Sequence, residues 1–190
     1  MKLCVFHGTF DPIHNAHMDM AHFALKKYGF DTILFVPAYN PPHKECDLKM
    51  ANHRMQMVWK AVGDIFDFDI SDLEYRRDGK SYTYPTICEL YNNYDVDGKI
   101  NFIIGADAFE KIDTWFEAEK LKKIVRFIVF KRSNYIVNPP SDCDFELAEM
   151  DFEDISSTKI REYVKKGKDI SNLVPKKVKE YIEQNGLYKS

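Results

Sequence analysis

Two short stretches, far apart in the chain, carry residue types suited to handling phosphate. The first, His7-Gly8-Thr9-Phe10-Asp11-Pro12-Ile13-His14-Asn15-Ala16-His17, sets two imidazoles three residues apart behind a glycine and a proline. Gly8 lets the chain turn tightly after an apolar run, and Pro12 stiffens the loop that follows. If a helix begins near Asn15, His14 and His17 face one side of it. The helix's first N–H groups then add a partial positive charge, and the combination describes a pocket for nucleotide phosphates. One histidine at a helix start is more simply a core or surface residue; two at this spacing behind Gly-Thr-Phe-Asp-Pro are not. The second stretch is Ile155-Ser156-Ser157-Thr158-Lys159-Ile160-Arg161. Ser156 or Ser157 can cap the following helix and expose a second anion-receptive N-terminus. Arg161 falls within its first turn or so, where a guanidinium can clamp phosphate with two parallel hydrogen bonds. Capping alone explains Ser-Ser-Thr, so the weight lies in its partnership with the first stretch.

The elements that must position these residues alternate. Lys2–Phe6, Thr32–Val36, Phe66–Ile70, Lys99–Ile104 and Val125–Phe130 read as strands, the third weaker than the rest. Between and after them, helical patterns run over Asn15–Lys27, Met50–Val62, Pro85–Tyr94, Phe116–Lys123, Thr158–Lys166 and Pro175–Gln184, with Gly186 a C-cap. Strand–helix alternation predicts parallel strands with right-handed crossovers, hence an α/β fold with a doubly wound parallel sheet. Ligands of such sheets bind at the carboxyl ends of the strands where strand order reverses. With no repeat and no Ser/Gly-rich linker, residues 1–190 read as one domain, its last two helices a small C-terminal subregion. The loops Pro37–Lys49 and Arg76–Ser81 are the irregular stretches placed to carry function.

Composition narrows the partners. With 45% apolar residues in 190, the chain can bury one good core. A net charge of −3 gives no ground for a nucleic-acid partner, so an anionic ligand needs a local cluster of positive groups. All six histidines, from His7 to His53, lie in the first third. No run of about 18 apolar residues predicts a membrane span. Cys4, Cys46, Cys88 and Cys143 are widely spaced with no CxxC, which suits reduced thiols in a cytoplasm. No closed set of metal ligands is predicted; Cys4 and His7 would point to opposite faces of a strand.

The two stretches resemble the signatures of the nucleotidyltransferase superfamily, His-x-Gly-His and Ile-Ser-Ser-Thr-x-x-Arg. Within it, Pro37-Ala38-Tyr39-Asn40-Pro41-Pro42-His43-Lys44, Ser81-Tyr82-Thr83, Gly105-Ala106-Asp107, Thr114-Trp115 and the closing Val174-Pro175…Tyr181-Ile182…Gly186-Leu187-Tyr188 resemble landmarks of bacterial nicotinate-nucleotide adenylyltransferases, in order along nearly the whole chain. The resemblance implies a Rossmann-like fold and transfer of AMP from ATP to nicotinate mononucleotide, releasing pyrophosphate, without a covalent intermediate. It implies catalytic roles for His14, His17 and Arg161, with His17 nearest the transferred group. ATP would be held by these with Gly8, Thr9, Phe10, Gly105, Asp107, Ser156, Ser157 and Thr158, Asp107 accepting from ribose hydroxyls. The mononucleotide would meet Lys44, Thr83, Trp115, Phe116 and Arg132, its pyridine ring stacking on Trp115. Mg²⁺ would arrive with ATP, held by phosphates and water with few or no protein ligands. A homo-oligomer is compatible with the sequence. Ala16 departs from the signature's glycine, where a methyl would crowd a phosphate. Lys131-Arg132-Ser133-Asn134 departs too.

For single residues the plainer readings are a helix cap for Asp107, a solvated lysine for Lys44, core for Trp115 and an acid-paired arginine for Arg54. Two rival functions follow. A pantetheine-phosphate adenylyltransferase is disfavoured by Pro-Pro-His-Lys and Trp115, and a nucleotide-binding regulator without catalysis by intact His14, His17 and Arg161.

Overall fold

The computed structural model describes residues 1–43, 47–151 and 155–189. The chain opens with β1 (Leu3–Gly8), α1 (Asn15–Tyr28) and β2 (Thr32–Pro37). α1 stops at Gly29, whose φ of 62° only glycine adopts cheaply and whose N–H closes on Leu25 O. There follow α2 (Ala51–Val62), β3 (Phe68–Ile70), α3 (Thr83–Asn93), β4 (Ile100–Gly105), α4 (Ala106–Phe109) and α5 (Ala118–Ile124). The remainder is β5 (Val125–Lys131), β6 (Phe145–Glu149), α6 (Ser157–Lys165) and α7 (Lys176–Gln184).

The six strands pair in the order β3-β2-β1-β4-β5-β6, all parallel. Parallel strands covered on both faces need apolar side chains on both, and β1 and β2 are accordingly near-continuous apolar runs. Alternation sorts those side chains into two cores. Cys4, Phe6, Ile33 and Phe35 face one side with Met57, Ile160, Val178 and Ile182. Leu3, Val5, Leu34 and Val36 face the other with Ile87, Leu90, Phe109 and Leu121. α6 and α7 have no separate core; their apolar stripes complete the first. Strand order reverses between β1 and β4, so the crevice of a doubly wound sheet opens there.

The sequence reading needs several corrections. α3 begins at Thr83, with Pro85 inside its first turn, where a missing N–H costs nothing. α5 begins at Ala118, because Glu117 takes a left-handed conformation (φ 54°) that no helix continues through. β3 is shorter than Phe66–Ile70, and Phe66 is 99% exposed. α4 and β6 were unforeseen. No helix among the described residues is long and apolar enough to cross a membrane.

Candidate active site

The loop leaving β1 runs over the reversal point into α1. His14 is the N-cap of α1, and its ring stacks on that of His17, centroids 3.6 Å apart and 21° from parallel. The backbone N–H of His14 donates to His17 Nδ1 at 3.2 Å. A ring nitrogen that accepts carries no proton, so the neutral ring holds its proton on Nε2 and offers it as a donor. Burial lowers the His14 pKa to about 4, which keeps this ring neutral at pH 7. Its buried Nδ1 meets no partner among the described residues. The His17 ring is held edge-on against Phe10 at 5.1 Å and Phe6 at 5.7 Å. Phe10 explains Gly8: a Cβ on residue 8 would lie 2.9 Å from the Phe10 ring. The Phe10 ring, 2% exposed, is therefore core, which leaves its backbone as the part of Phe10 able to meet a ligand.

α6 brings the second stretch against this loop. Ser156 caps α6 by accepting from Lys159 N at 3.2 Å, and the Ser157 hydroxyl donates to Pro12 O at 2.9 Å. Arg161 donates through Nη1 to Asp11 O at 2.7 Å and through Nη2 to Thr158 Oγ1 at 3.3 Å. Tyr188, near the C-terminus, donates to Asp11 Oδ1 at 2.7 Å. Stretches 150 residues apart thus share one rim, with two imidazoles and a guanidinium beside two helix N-termini. Such a rim receives anions.

The start of the same loop also borders a cavity of about 570 Å³. His7, Gly8 and Thr9 line it from β1; Pro41, Pro42 and His43 come from the loop after β2. Ser81, Tyr82 and Thr83 lead into α3, while Asp107, Lys111, Trp115 and Phe116 follow β4. His43 lies against Trp115 at 5.9 Å, and Tyr82 stacks on Phe116 at 4.6 Å, so aromatic rings wall its far end. Thr83 is the first residue of α3, and helices leave such N–H groups without internal partners. Gly105, not Asp107, is the N-cap of α4; Asp107 is exposed in its first turn and lines the cavity. The cavity's size and its mixture of aromatic wall and few polar groups suit a mononucleotide-sized ligand.

A family described as cytidylyltransferase-like matches residues 5–163. The nicotinate-nucleotide adenylyltransferase of Bacillus subtilis is 40% identical, over all of this chain and 99% of its own. The chain belongs to the nicotinate-nucleotide adenylyltransferase family. Two solved structures of Plasmodium falciparum nicotinic acid mononucleotide adenylyltransferase share the fold. The one complexed with APC has a TM-score of 0.78 at 24% identity, covering 98% of this chain and 96% of that one. The one complexed with NaAD has a TM-score of 0.76 at 23% identity, with the same coverage.

Not every residue that the nicotinate-nucleotide adenylyltransferase resemblance nominated meets the others. Lys44 lies outside the described residues. Arg132 is exposed in the turn after β5 and does not line the cavity. Gly105 ends β4 beside the cavity without lining it. Ala16 is 4% exposed, its methyl covered by its surroundings, which argues against its crowding a phosphate. No three His, Cys, Asp or Glu side chains among the described residues are grouped to hold a metal.

Two residues gain importance that the sequence did not assign. Arg54 is fully buried and pairs with no acid among the described residues; it donates to Thr9 O (3.0 Å), Ala38 O (2.5 Å) and Tyr39 O (2.9 Å). One guanidinium therefore ties the loop after β1 to the loop after β2. The signal was present, because Arg54 falls on the apolar stripe Ala51, Met55, Val58, Val62 of α2. Glu74, in the turn Leu73–Arg76, is also buried and accepts from Thr86 Oγ1 at 2.5 Å. It meets His7 Nε2 at 2.9 Å. Nothing in the surrounding sequence marks that pairing across 67 residues.

Proposed function

We propose that the chain transfers AMP from MgATP to nicotinate mononucleotide, giving nicotinate adenine dinucleotide and pyrophosphate. The observation that carries this reading is that two unlike sites share the segment from His7 to His17. A donor-rich rim with the Arg161 guanidinium gathers at residues 11–17, and an aromatic-walled cavity is lined by residues 7–9. The rim suits a triphosphate; the cavity suits a flat ring bearing a phosphate.

The chemistry asks little of the protein beyond placement and charge. The attacking group is the mononucleotide phosphate, largely dianionic at neutral pH because its second pKa is about 6. No general base is needed, and no side chain becomes covalently bound. The protein holds two anions in line and offsets charge that moves onto the leaving pyrophosphate. Nε2–H of His17, fixed as a donor by its Nδ1 bond, suits the transferred phosphoryl group. Arg161, the α6 N-terminus and neutral His14 suit the outer phosphates. Mg²⁺ comes as part of MgATP, retaining phosphate and water ligands. The α3 N-terminus at Thr83, with the N–H of Phe116, suits the pyridine carboxylate while Trp115 stacks on the ring.

Incubation with MgATP and a panel of phosphomonoesters tests the reading. Pyrophosphate should appear only with a pyridine mononucleotide. Turnover of phosphopantetheine without turnover of pyridine nucleotides would overturn it.

A further inference from the structure

β1 delivers one more ring to the crevice. His7 lies just before Gly8, lines the cavity, and leaves only 10% of its side chain exposed. Its Nε2 meets Glu74 Oε1 at 2.9 Å, and the Glu74 side chain is wholly buried. Around that carboxylate, Thr86 donates its hydroxyl and in turn accepts from Arg77 Nη2 at 2.8 Å. Arg77 itself stands 3.8 Å from Glu74 and leans toward Glu89. Glu74 Oε2 has no partner among the described residues. Burial alone would raise the Glu74 pKa, but the adjacent His7 ring and the Thr86 and Ser81 hydroxyls outweigh it and hold the carboxyl below its ordinary range. A buried carboxylate with so few donors depends on the partners in direct contact, and His7 is the ring among them. A ring donating through Nε2 to a carboxylate has one polar atom left, Nδ1. Among the described residues no hydrogen bond engages it.

We propose that His7 is a substrate-binding residue: its Nδ1–H holds an anionic group of the mononucleotide, and Glu74 behind it is the positioning residue that keeps the ring oriented. The arrangement parallels a carboxylate that orients a histidine, here used for binding instead of proton transfer. Other charged and titratable groups facing the cavity are His43 from the loop after β2, and Asp107 and Lys111 following β4. Lys111 is a competing cation and Asp107 an opposing anion, so His7 must be separated from them by substitution. The inference rests on the proposed function, because it takes the cavity as the mononucleotide site. The anion is either the ring carboxylate or the phosphate.

The test is calorimetric binding of nicotinate mononucleotide, its amide analogue and nicotinate riboside to the native protein, His7→Phe and Glu74→Gln, with KM for ATP measured alongside. Both substitutions should weaken nicotinate mononucleotide binding roughly tenfold or more, while KM for ATP stays within about twofold. A loss shared by the amide but not the riboside assigns the phosphate, and the converse assigns the carboxylate; either supports the proposal. Should Glu74→Gln fail to fold, His7→Phe still decides. Unchanged affinity for nicotinate mononucleotide in His7→Phe would overturn the proposal. Absence of any pyridine-mononucleotide binding by the native protein would instead overturn the function on which it rests.

Discussion

His14 and His17 stack as a pair yet do different work. His17 accepts from the backbone through Nδ1, so in the neutral ring the proton sits on Nε2 and the ring's donor direction is fixed. His14 is buried deeply enough that its pKa falls to about 4, and its cost is paid in acid. In the unfolded chain a histidine binds its proton near 6.5. Between those two values the unfolded state binds more protons than the folded state, so stability contributed by the neutral ring is present above about pH 6.5 and declines toward pH 4. At about pH 5 the loss relative to pH 7 is about 2 kcal/mol, or roughly 4–8 °C in Tm for a chain of this size. His14→Gln should narrow the Tm difference between those two pH values by a similar amount, read by thermal melts of both proteins. An equal difference in the two proteins would mean that His14 is not held neutral by burial.

At the level of elements, the crevice depends on loops that lie on different strands and are tied together from beneath. Arg54 of α2 is the tie, with three carbonyl acceptors on the loops after β1 and β2. Arg54→Met would remove charge-assisted hydrogen bonds, each worth about 1.5–3 kcal/mol. It should lower Tm by roughly 10 °C or more and kcat/KM for both substrates by roughly tenfold or more. Arg54→Lys keeps the charge without the planar fork, and should recover Tm only in part. Full recovery of Tm and kcat/KM by lysine would show that charge, and not fork geometry, holds the loops. Helices and strands were readable where a buried face imposed a period, as in α1, α2 and β2. Arg54 was visible as a charge on an apolar stripe, but its partners were not, because three backbone carbonyls leave no mark in sequence. The His7–Glu74 contact was hidden for a related reason: it joins β1 to a turn beyond β3, and only the sheet brings them together.

Across the whole molecule, the alternation of β1 through β5 with their helices sufficed for a doubly wound sheet, and strand reversal at β1 and β4 then located the crevice. β6 escaped because Phe145–Glu149 is a short edge strand following a loop rich in Asn, Pro, Ser and Asp, with only Ala148 fully buried. Such a strand has neither the apolar run of a central strand nor a clean alternation. The C-terminal helices were foreseen as elements, but not as the lid of the first core, since stripe direction is set by what they pack on. These parts converge on one claim: two anions meet across the Gly8–Asn15 loop, and AMP passes between them. The direct measurement uses ATP labelled at its α-phosphate, MgCl₂, and either nicotinate mononucleotide or its amide. Label should move into the dinucleotide, with unlabelled pyrophosphate released. The acid should be used at least roughly tenfold better in kcat/KM, because an amide NH₂ facing the N–H donors of Thr83 and Phe116 leaves a buried group unpaired at about 1–3 kcal/mol. Label that stays in ATP, or that attaches to the protein with no dinucleotide formed, would contradict the account.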